Sequence, residues 1–459
     1  MRAVVMAAGL GTRMRSRTPK VLHPLLGRPM LAYVLDAARA ATGAPPIVVY
    51  SPASAAVCET FVDQAEFALQ DEPRGTGDAI RAALPALDAS IEEVIVVSGD
   101  VPRVSAELLS DLVEQRRLDH AALAIVAVAA LDPSGLGRVV RNDAGSVERI
   151  VEEKDATEEQ LELIEINAGL YVFDAVWLRD RIGALQPSEQ TGELYLTDLV
   201  AIARADGRLV ASLDVEDDGR LTGINDRAQL AQAEWDMRTE LNLVHMQAGV
   251  TMRDPSTVYL EAEVELAPDV VLEPNVILRG RTRIGEGTTI GAGSEIVDSV
   301  IGRDCVVWAS IVEGSVVEDE VRIGPLSHVR AGSQIGARSQ IGNFAEIKNS
   351  RLGVHVRQHH MSYLGDADVG DDTNVGAGTV TANWDGTTKH RTTIGERVFL
   401  GVDTMLRAPV TLGDDAKTGA GAVVTRDVPP GKLAVGVPAR IREPRTGQPP
   451  VDRDGEESG

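Results

Sequence analysis

Residues 323–347 read IGPLSHVRAGSQIGARSQIGNFAEI, with an aliphatic residue at every sixth position: Ile323, Val329, Ile335, Ile341 and Ile347. A second register runs Ile394, Leu400, Leu406, Leu412, Thr418 and Val424, with Thr418 its one polar member, and Ile284, Ile290 and Ile296 give a third. Single matches at this spacing are common, whereas registered runs of this length mark a repeat architecture. The spacing predicts a triangular solenoid, six residues to a side, with one aliphatic residue of each side turned inward. Glycine follows many of these residues, as in Ile284-Gly285, Ile335-Gly336 and Ile341-Gly342, and is expected to permit the corner turn. The register breaks at Leu352–Leu364 and at Asn383–Thr393. Both are expected to be insertions, and loops leaving a rigid stack are natural places for function.

Upstream the pattern differs. Ala3–Ala8, Pro46–Tyr50, Val94–Val97, Ala122–Val128 and Leu170–Phe173 read as buried strands, and Met30–Ala41 and Gly77–Leu87 carry helical spacing between them. Such alternation predicts a Rossmann-like α/β domain with a mostly parallel sheet, whose ligands sit beyond the carboxyl ends of the strands. Leu230, Ala233, Met237, Leu241, Val244 and Ala248 recur at helical steps behind Asp226, a capping residue. The expected organisation is an α/β domain over 1–225, a linker helix over 226–249 and a β-helix over 250–442. The Pro-, Gly- and acid-rich tail, 443–459, is expected to be disordered.

The chain of 459 residues holds 45 Lys and Arg against 69 Asp and Glu, a net charge of -24. That balance argues against a surface built for nucleic acid or anionic lipid. An acidic protein that takes anionic substrates must gather its cations in the site itself. The two cysteines, Cys58 and Cys305, fall in different halves without zinc-ligand spacing, which suits a reducing compartment. The apolar run Ala3–Ala8 is too short to span a bilayer and lacks a cleavage pattern, so the chain reads as cytosolic.

Met6-Ala7-Ala8-Gly9-Leu10-Gly11-Thr12-Arg13-Met14 follows the first strand. Its glycines let successive backbone N–H groups converge on a phosphate, and Arg13 and Lys20 add two cations nearby. No Gly-Lys-Ser/Thr follows, so this is not a Walker loop. Val94–Val97 runs into Ser98-Gly99-Asp100, and a carboxylate at the end of a central strand can hold a metal ion that bridges phosphates. In the solenoid, Arg330 and Lys348 put cations on successive coils of one face, where they can grip a sugar phosphate. The segment Gln358-His359-His360-Met361-Ser362-Tyr363 supplies adjacent imidazoles. Only Asp366 and Asp368 lie near them, which does not suit a metal site. An imidazole does suit removal of a proton from an amine attacking a thioester near neutral pH.

At Leu10–Lys20 with Ser98–Asp100 the chain resembles sugar-1-phosphate nucleotidyltransferases. With the β-helix behind, it resembles bifunctional N-acetylglucosamine-1-phosphate uridyltransferase/glucosamine-1-phosphate acetyltransferases over roughly Ala3 to Ala439. Further matching segments are Gln70 with Gly75-Thr76-Gly77, Gly135–Arg138, Val151–Asp155, Glu165–Gly169 and Gly223-Ile224-Asn225. The resemblance implies a left-handed β-helix and two reactions: acetylation of glucosamine-1-phosphate by acetyl-CoA, and coupling of N-acetylglucosamine-1-phosphate to UTP. It implies that Met6, Ala7, Ala8, Gly9, Gly11, Thr12, Ser98 and Gly99 line the nucleotide site. Gln70, Gly75 and Thr76 would read the uracil. Gly137, Glu152 and Asn167 would hold the amino sugar, Asp100 and Asn225 Mg²⁺, Arg13 the departing pyrophosphate and Lys20 the reacting phosphate.

In the second half the resemblance implies His360 as general base, with Arg330, Lys348, Tyr363 and Asn374 on the amino-sugar substrate. Ala377, Asn383, Trp384, Val402, Ala420 and Val437 would contact acetyl-CoA. It further implies a homotrimer with the acyl donor between neighbours. Three positions depart from the family pattern: His359 replaces a small residue or proline, Trp384 a tyrosine, and Val402 a serine. Trp384 keeps an aromatic contact; Val402 supplies no hydroxyl. Two alternatives stay open at this point. One is a sugar-1-phosphate nucleotidyltransferase whose β-helix is only a trimerising or regulatory scaffold; the other is a non-catalytic binding protein with the same domain pairing.

Overall fold

The computed structural model describes residues 1–443 and divides into two compact units, Met1–Trp235 and a second beginning at Asp236. The boundary falls inside one long helix, Arg227–Gln247. Asp226 opens that helix, its Oδ1 accepting from the backbone N–H groups of Ala228 and Gln229 at 2.9 Å each. The expected disorder of the tail falls, from 444 onward, outside the described residues.

The first unit is built on runs such as Val94-Ile95-Val96-Val97, wholly buried because both faces of the sheet are covered. Its strands lie in the order Val210–Glu216, Leu123–Ala129, Glu165–Asp174, Glu93–Ser98, Arg2–Met6, Ile47–Tyr50, Glu66–Leu69. Every strand of this path runs parallel except Glu165–Asp174, which is antiparallel to both neighbours. A hairpin, Arg138–Arg141 with Val147–Val151, joins the edge of Glu165–Asp174. Helices Met30–Thr42 and Thr76–Ala83 stand where the spacing puts them, the second ending in a 3₁₀ turn rather than running on to Leu87. The chain leaves Arg2–Met6 toward one side for its second strand and returns on the other with Glu93–Ser98. Met6 and Ser98 are register partners at the carboxyl ends, which is the switch point where such sheets bind ligands.

The second unit is a left-handed parallel β-helix whose faces are sheets of 12, 10 and 9 strands. Every residue of the registers read from sequence points inward and is buried. The polar member, Thr418, is satisfied there: its hydroxyl lies 2.7 Å from that of Thr404 and accepts from the Gly401 N–H at 2.9 Å.

Two expectations need correction. Leu352–Leu364 is not an insertion. Leu352, Gln358 and Leu364 keep the six-residue step and are all buried, and the irregularity is only a short five-residue side between Ile347 and Leu352. Asn383–Thr393 does leave the stack between the strands Val380–Ala382 and Thr392–Ile394. The second correction concerns the glycines. A Cβ on Gly336 would sit 2.4 Å from the backbone carbonyl carbon of Gly353, and one on Gly285 would sit 2.7 Å from that of Gly302. These glycines admit the next coil. The left-handed turn falls two residues later, at Gly287, Asp304, Arg338, His355, Asp372, Arg397 and Asp415, with φ from 54° to 71°.

Candidate active sites

A cleft of about 400 Å³ opens at the switch point of the first unit. Met6, Ala7, Ala8, Gly9, Gly11 and Thr12 line one wall together with Arg13 and Lys20; Gln70, Gly75 and Thr76 line another; Ser98, Asp100 and Asn225 close the floor. Gly11 has φ 57°, and a Cβ there would lie 2.7 Å from the Lys20 Cβ, so this glycine lets the turn pass close against the lysine. Nothing lies within 4 Å of where a Gly9 Cβ would point. Its bare backbone faces open space.

The charges of the cleft converge on one lysine. Lys20 Nζ forms an ion pair with Asp100 Oδ2 and donates to Asn225 Oδ1 at 3.1 Å. Asp100 Oδ1 accepts from the Ser98 hydroxyl at 2.7 Å, so both carboxylate oxygens are engaged. Gly223 holds the far side, where a Cβ would come within 3.3 Å of Asp100 Oδ1. Arg13 is exposed on the turn Thr12–Met14.

Gln70 is buried, its amide donating to Gly75 O at 3.1 Å and to Asp78 Oδ2 at 3.0 Å. Gly75 has φ 111° and packs on the backbone of Leu194, while the Thr76 hydroxyl accepts from the Leu196 N–H at 2.9 Å. Gly99 does not line the cleft. Its N–H donates to Met6 O at 2.9 Å, and a Cβ would press on that same oxygen, so it splices the two central strands.

Gly137, Glu152 and Asn167 form a cluster of their own. Asn167 N–H donates to Gly137 O at 2.9 Å, and a Cβ on Gly137 would lie 3.4 Å from Glu152 Oε2. Glu152 accepts from the Thr197 hydroxyl at 2.9 Å. Burial pushes the Glu152 carboxyl above the ordinary range, against the pull of that hydrogen bond, and the charges of Asp198, Asp155 and Glu193 add to the rise. Thr197 and the cleft-lining Glu193 were missed in sequence, because neither sits in a motif.

In the β-helix, Arg330 and Lys348 are direct register partners on adjacent coils, and Lys348 is next to Gly365 on the coil after. Tyr363 lies on the same face, paired with Glu346. Arg330 donates to Glu346 at 2.8 Å. Lys389, from the projecting loop, meets Lys348; a side-chain hydrogen bond with Lys389, then its charge and that of Arg330, hold the Lys348 ammonium below the ordinary lysine range. Sequence reading missed Lys389, because only the folded loop returns it to this face.

Beside these cations Asp366 Oδ1 accepts from Asn349 at 2.5 Å and Oδ2 from Asn383 at 2.6 Å. Burial raises its pKa, but the two amides with Lys389 and Lys348 outweigh that and hold it below the carboxylate norm. Asn374 lies on the neighbouring face, paired with Arg357 and Phe399. Trp384 is exposed at the base of the loop, bridged to Lys389, and Asp385 ties the loop through His390 at 2.6 Å.

His360 is exposed at a corner of the solenoid. Successive backbone hydrogen bonds stack that corner coil upon coil: Gly378 N–H to Met361 O at 2.7 Å, Asp403 N–H to Ala377 O at 2.7 Å, Gly421 N–H to Val402 O at 2.8 Å. Ala377, Val402 and Ala420 therefore stand in single file above His360. Val437 follows Gly436, whose carbonyl accepts from the Val423 N–H at 3.1 Å, and is exposed.

A nucleotide-type cleft in an α/β unit and a cationic face on a hexapeptide β-helix, in one chain, define a two-domain transferase. The comparisons agree. A family model described as MobA-like NTP transferase domain matches residues 3–157, one described as bacterial transferase hexapeptide (six repeats) matches 314–349 and 391–426, and one described as hexapeptide repeat of succinyl-transferase matches 281–312. A curated relative from Heliobacterium modesticaldum, bifunctional protein GlmU, is 44% identical over 94% of both chains. That of Mycolicibacterium vanbaalenii is 41% identical over 94% of this chain and 89% of its own. The chain belongs to the bifunctional GlmU family.

Proposed function

We propose that the chain acetylates glucosamine-1-phosphate with acetyl-CoA and then couples the N-acetylglucosamine-1-phosphate to UTP. The products are UDP-N-acetylglucosamine, a cell-envelope precursor, and pyrophosphate. The observation that carries the reading is the Lys20 ammonium resting on Asp100 and Asn225 beside a glycine turn, with the exposed Arg13 lining the same cleft. It is a cation-lined phosphate site in a protein whose net charge is -24.

In the uridyl step a phosphate oxygen of the sugar attacks the α-phosphorus of UTP in line; the new O–P bond forms as the bond to the β-phosphate breaks and pyrophosphate leaves. The nucleophile is already an anion, so no base is required, and catalysis is positioning and charge neutralisation. Gln70, Gly75 and Thr76 hold the base, Gly137, Glu152 and Asn167 the sugar, and Arg13 the pyrophosphate. Magnesium fits this site. Lys20 already bridges two hard oxygen donors as a cation would, and no group of three acidic, His or Cys side chains surrounds them among the described residues. Such sparse ligation is usual where phosphates and water complete the shell. Asp100 and Asn225 would hold the ion, which supplies charge neutralisation on the phosphates.

In the acetyl step the amine nitrogen attacks the thioester carbonyl carbon, a C–N bond forms and the C–S bond breaks. His360 takes the proton from nitrogen and returns it to the departing thiolate. Arg330, Lys348 and Lys389 grip the phosphate, Tyr363 and Asn374 flank the sugar, Asn383 sits beside the reacting groups, and acetyl-CoA lies along Ala377, Val402, Ala420 and Val437 with Trp384 at the loop. We further propose that the chain works as a cytoplasmic homotrimer with the acyl donor between neighbours. Exposed Val402 and Val437 on that edge, with Trp308, Leu326, Phe344 and Met361 on the preceding coils, support this reading.

The test supplies purified chain with UTP, acetyl-CoA, Mg²⁺ and glucosamine-1-phosphate and identifies the product by mass. UDP-N-acetylglucosamine is expected; UDP-glucosamine, with no thiol released, would reduce the β-helix to a scaffold.

A further inference from the structure

The inward column of one solenoid face reads Leu272, Ile290, Val307, Ile323, Ile341, Gln358, Val375, Leu400, Thr418 and Ala434, all buried. Gln358 is fully buried among aliphatic side chains, and its Oε1 has no hydrogen-bond partner among the described residues. A leucine would be the less costly occupant, since a buried amide loses water and regains only part of what it loses. What the amide does make is a bond to a serine of a kind the solenoid repeats, as in Ser310 Oγ to Trp308 O at 2.7 Å and Ser350 Oγ to Lys348 O at 2.8 Å, here with a buried amide added from inside. Nε2 donates to the Ser362 hydroxyl at 2.9 Å, and that hydroxyl donates to the backbone carbonyl of His360 at 2.9 Å.

His360 needs such a support. Its imidazole accepts and donates no hydrogen bond to protein among the described residues, and the neighbouring His359 ring stands edge-on to it with centroids 6.4 Å apart. The orientation of the ring is therefore inherited from its backbone. The backbone after His360 is tied at two successive peptides: the His360 carbonyl by the Ser362 hydroxyl, and the Met361 carbonyl by the Gly378 N–H of the following coil at 2.7 Å.

We propose that Gln358 is a positioning residue for the acetyl-transfer base, holding the His360 peptide from inside the β-helix through Ser362. The inference rests on the assignment of His360 as that base. Gln358 touches no substrate; it spends a buried amide on fixing where the imidazole stands, and misplacement of a reacting group by an ångström is enough to slow a reaction strongly.

The experiment measures both activities and the thermal midpoint of the full chain carrying Gln358→Leu, Ser362→Ala, both together, or Ser362→Thr. Gln358→Leu is expected to lower kcat of acetyl transfer roughly tenfold, with KM for glucosamine-1-phosphate and uridyl transfer unchanged and the thermal midpoint equal or higher. Ser362→Ala is expected to lower kcat likewise, with a lower thermal midpoint because it strands the buried Gln358 amide, the double variant to be no worse in kcat than either single one, and Ser362→Thr, which keeps the hydroxyl, to stay active. A wild-type kcat for Gln358→Leu with an unaltered midpoint would overturn the proposal. If Gln358→Leu melts early, Ser362→Ala, which leaves the column intact, decides: an unaltered kcat overturns it and a reduced one at unaltered KM supports it. Absence of acetyl transfer by the unsubstituted chain would instead remove the functional reading itself, a separate and recognisable result.

Discussion

Asp100 is engaged on both oxygens, by Ser98 and by Lys20, and with Asn225 it fixes where the Lys20 ammonium rests in the cleft. Asp100→Ala removes the acid and releases the lysine, so uridyl transfer should fall by at least about a hundredfold. Acetyl transfer, read by thiol release, should be untouched. Asp366 makes a different kind of statement. Its pKa is depressed in the fold: burial opposes ionisation, but Asn349, Asn383, Lys389 and Lys348 together favour it. A depressed carboxylate contributes stability above its unfolded value of about 3.9 and loses it as the pH falls through the folded value. Asp366→Asn should therefore flatten the acid limb of the β-helix melting profile below about pH 4, and a profile identical to that of the unsubstituted chain would contradict the assignment.

At the scale of the coil, the glycines divide into two kinds that a single substitution separates. A Cβ on Gly336 presses on the backbone of Gly353, so Gly336→Ala should cost about 1–3 kcal/mol through overpacking. Gly421 has φ 68° with nothing within 4 Å, and Gly421→Ala should cost only about 1 kcal/mol for the left-handed backbone; chemical denaturation reads both. The period itself was plain in sequence because a one-residue-wide interior enforces it, and every register residue is buried. The false insertion at Leu352–Leu364 arose because Gln358 breaks the aliphatic pattern without breaking the geometry, and because a five-residue side shifts the count. In the α/β unit the continuous apolar strands were legible, whereas Val210–Glu216 and the hairpin at Arg138–Val151, half-exposed and charged, were not. Of the nucleotide site, the glycine turn, Lys20 and Asp100 stood out as motifs. Thr197 and Glu193 there, and Lys389 on the β-helix, did not, since each is brought to its partners only by tertiary folding.

Taken whole, the molecule places two chemistries on two compact units, each with its own buried core. The amino-sugar phosphate made by one is the substrate of the other. Neither Asp100→Ala nor His360→Ala alone should make UDP-N-acetylglucosamine from glucosamine-1-phosphate, while an equal mixture of the two should restore it, the intermediate passing through solution. Mass analysis of the mixture is the check; failure to complement would mean that the two units must act within one chain. The corner that rises from His360 has a further consequence. Met361, Ala377, Val402 and the Gly421 step are joined by three successive coil-to-coil hydrogen bonds, and neighbouring strands stand about 4.8 Å apart, so the file is a ruler roughly 14 Å long. Distance along it comes only in whole rungs. Excising or duplicating one rung would slide the far end of an extended acyl donor by one unit relative to the imidazole, and no side-chain adjustment could make up the difference.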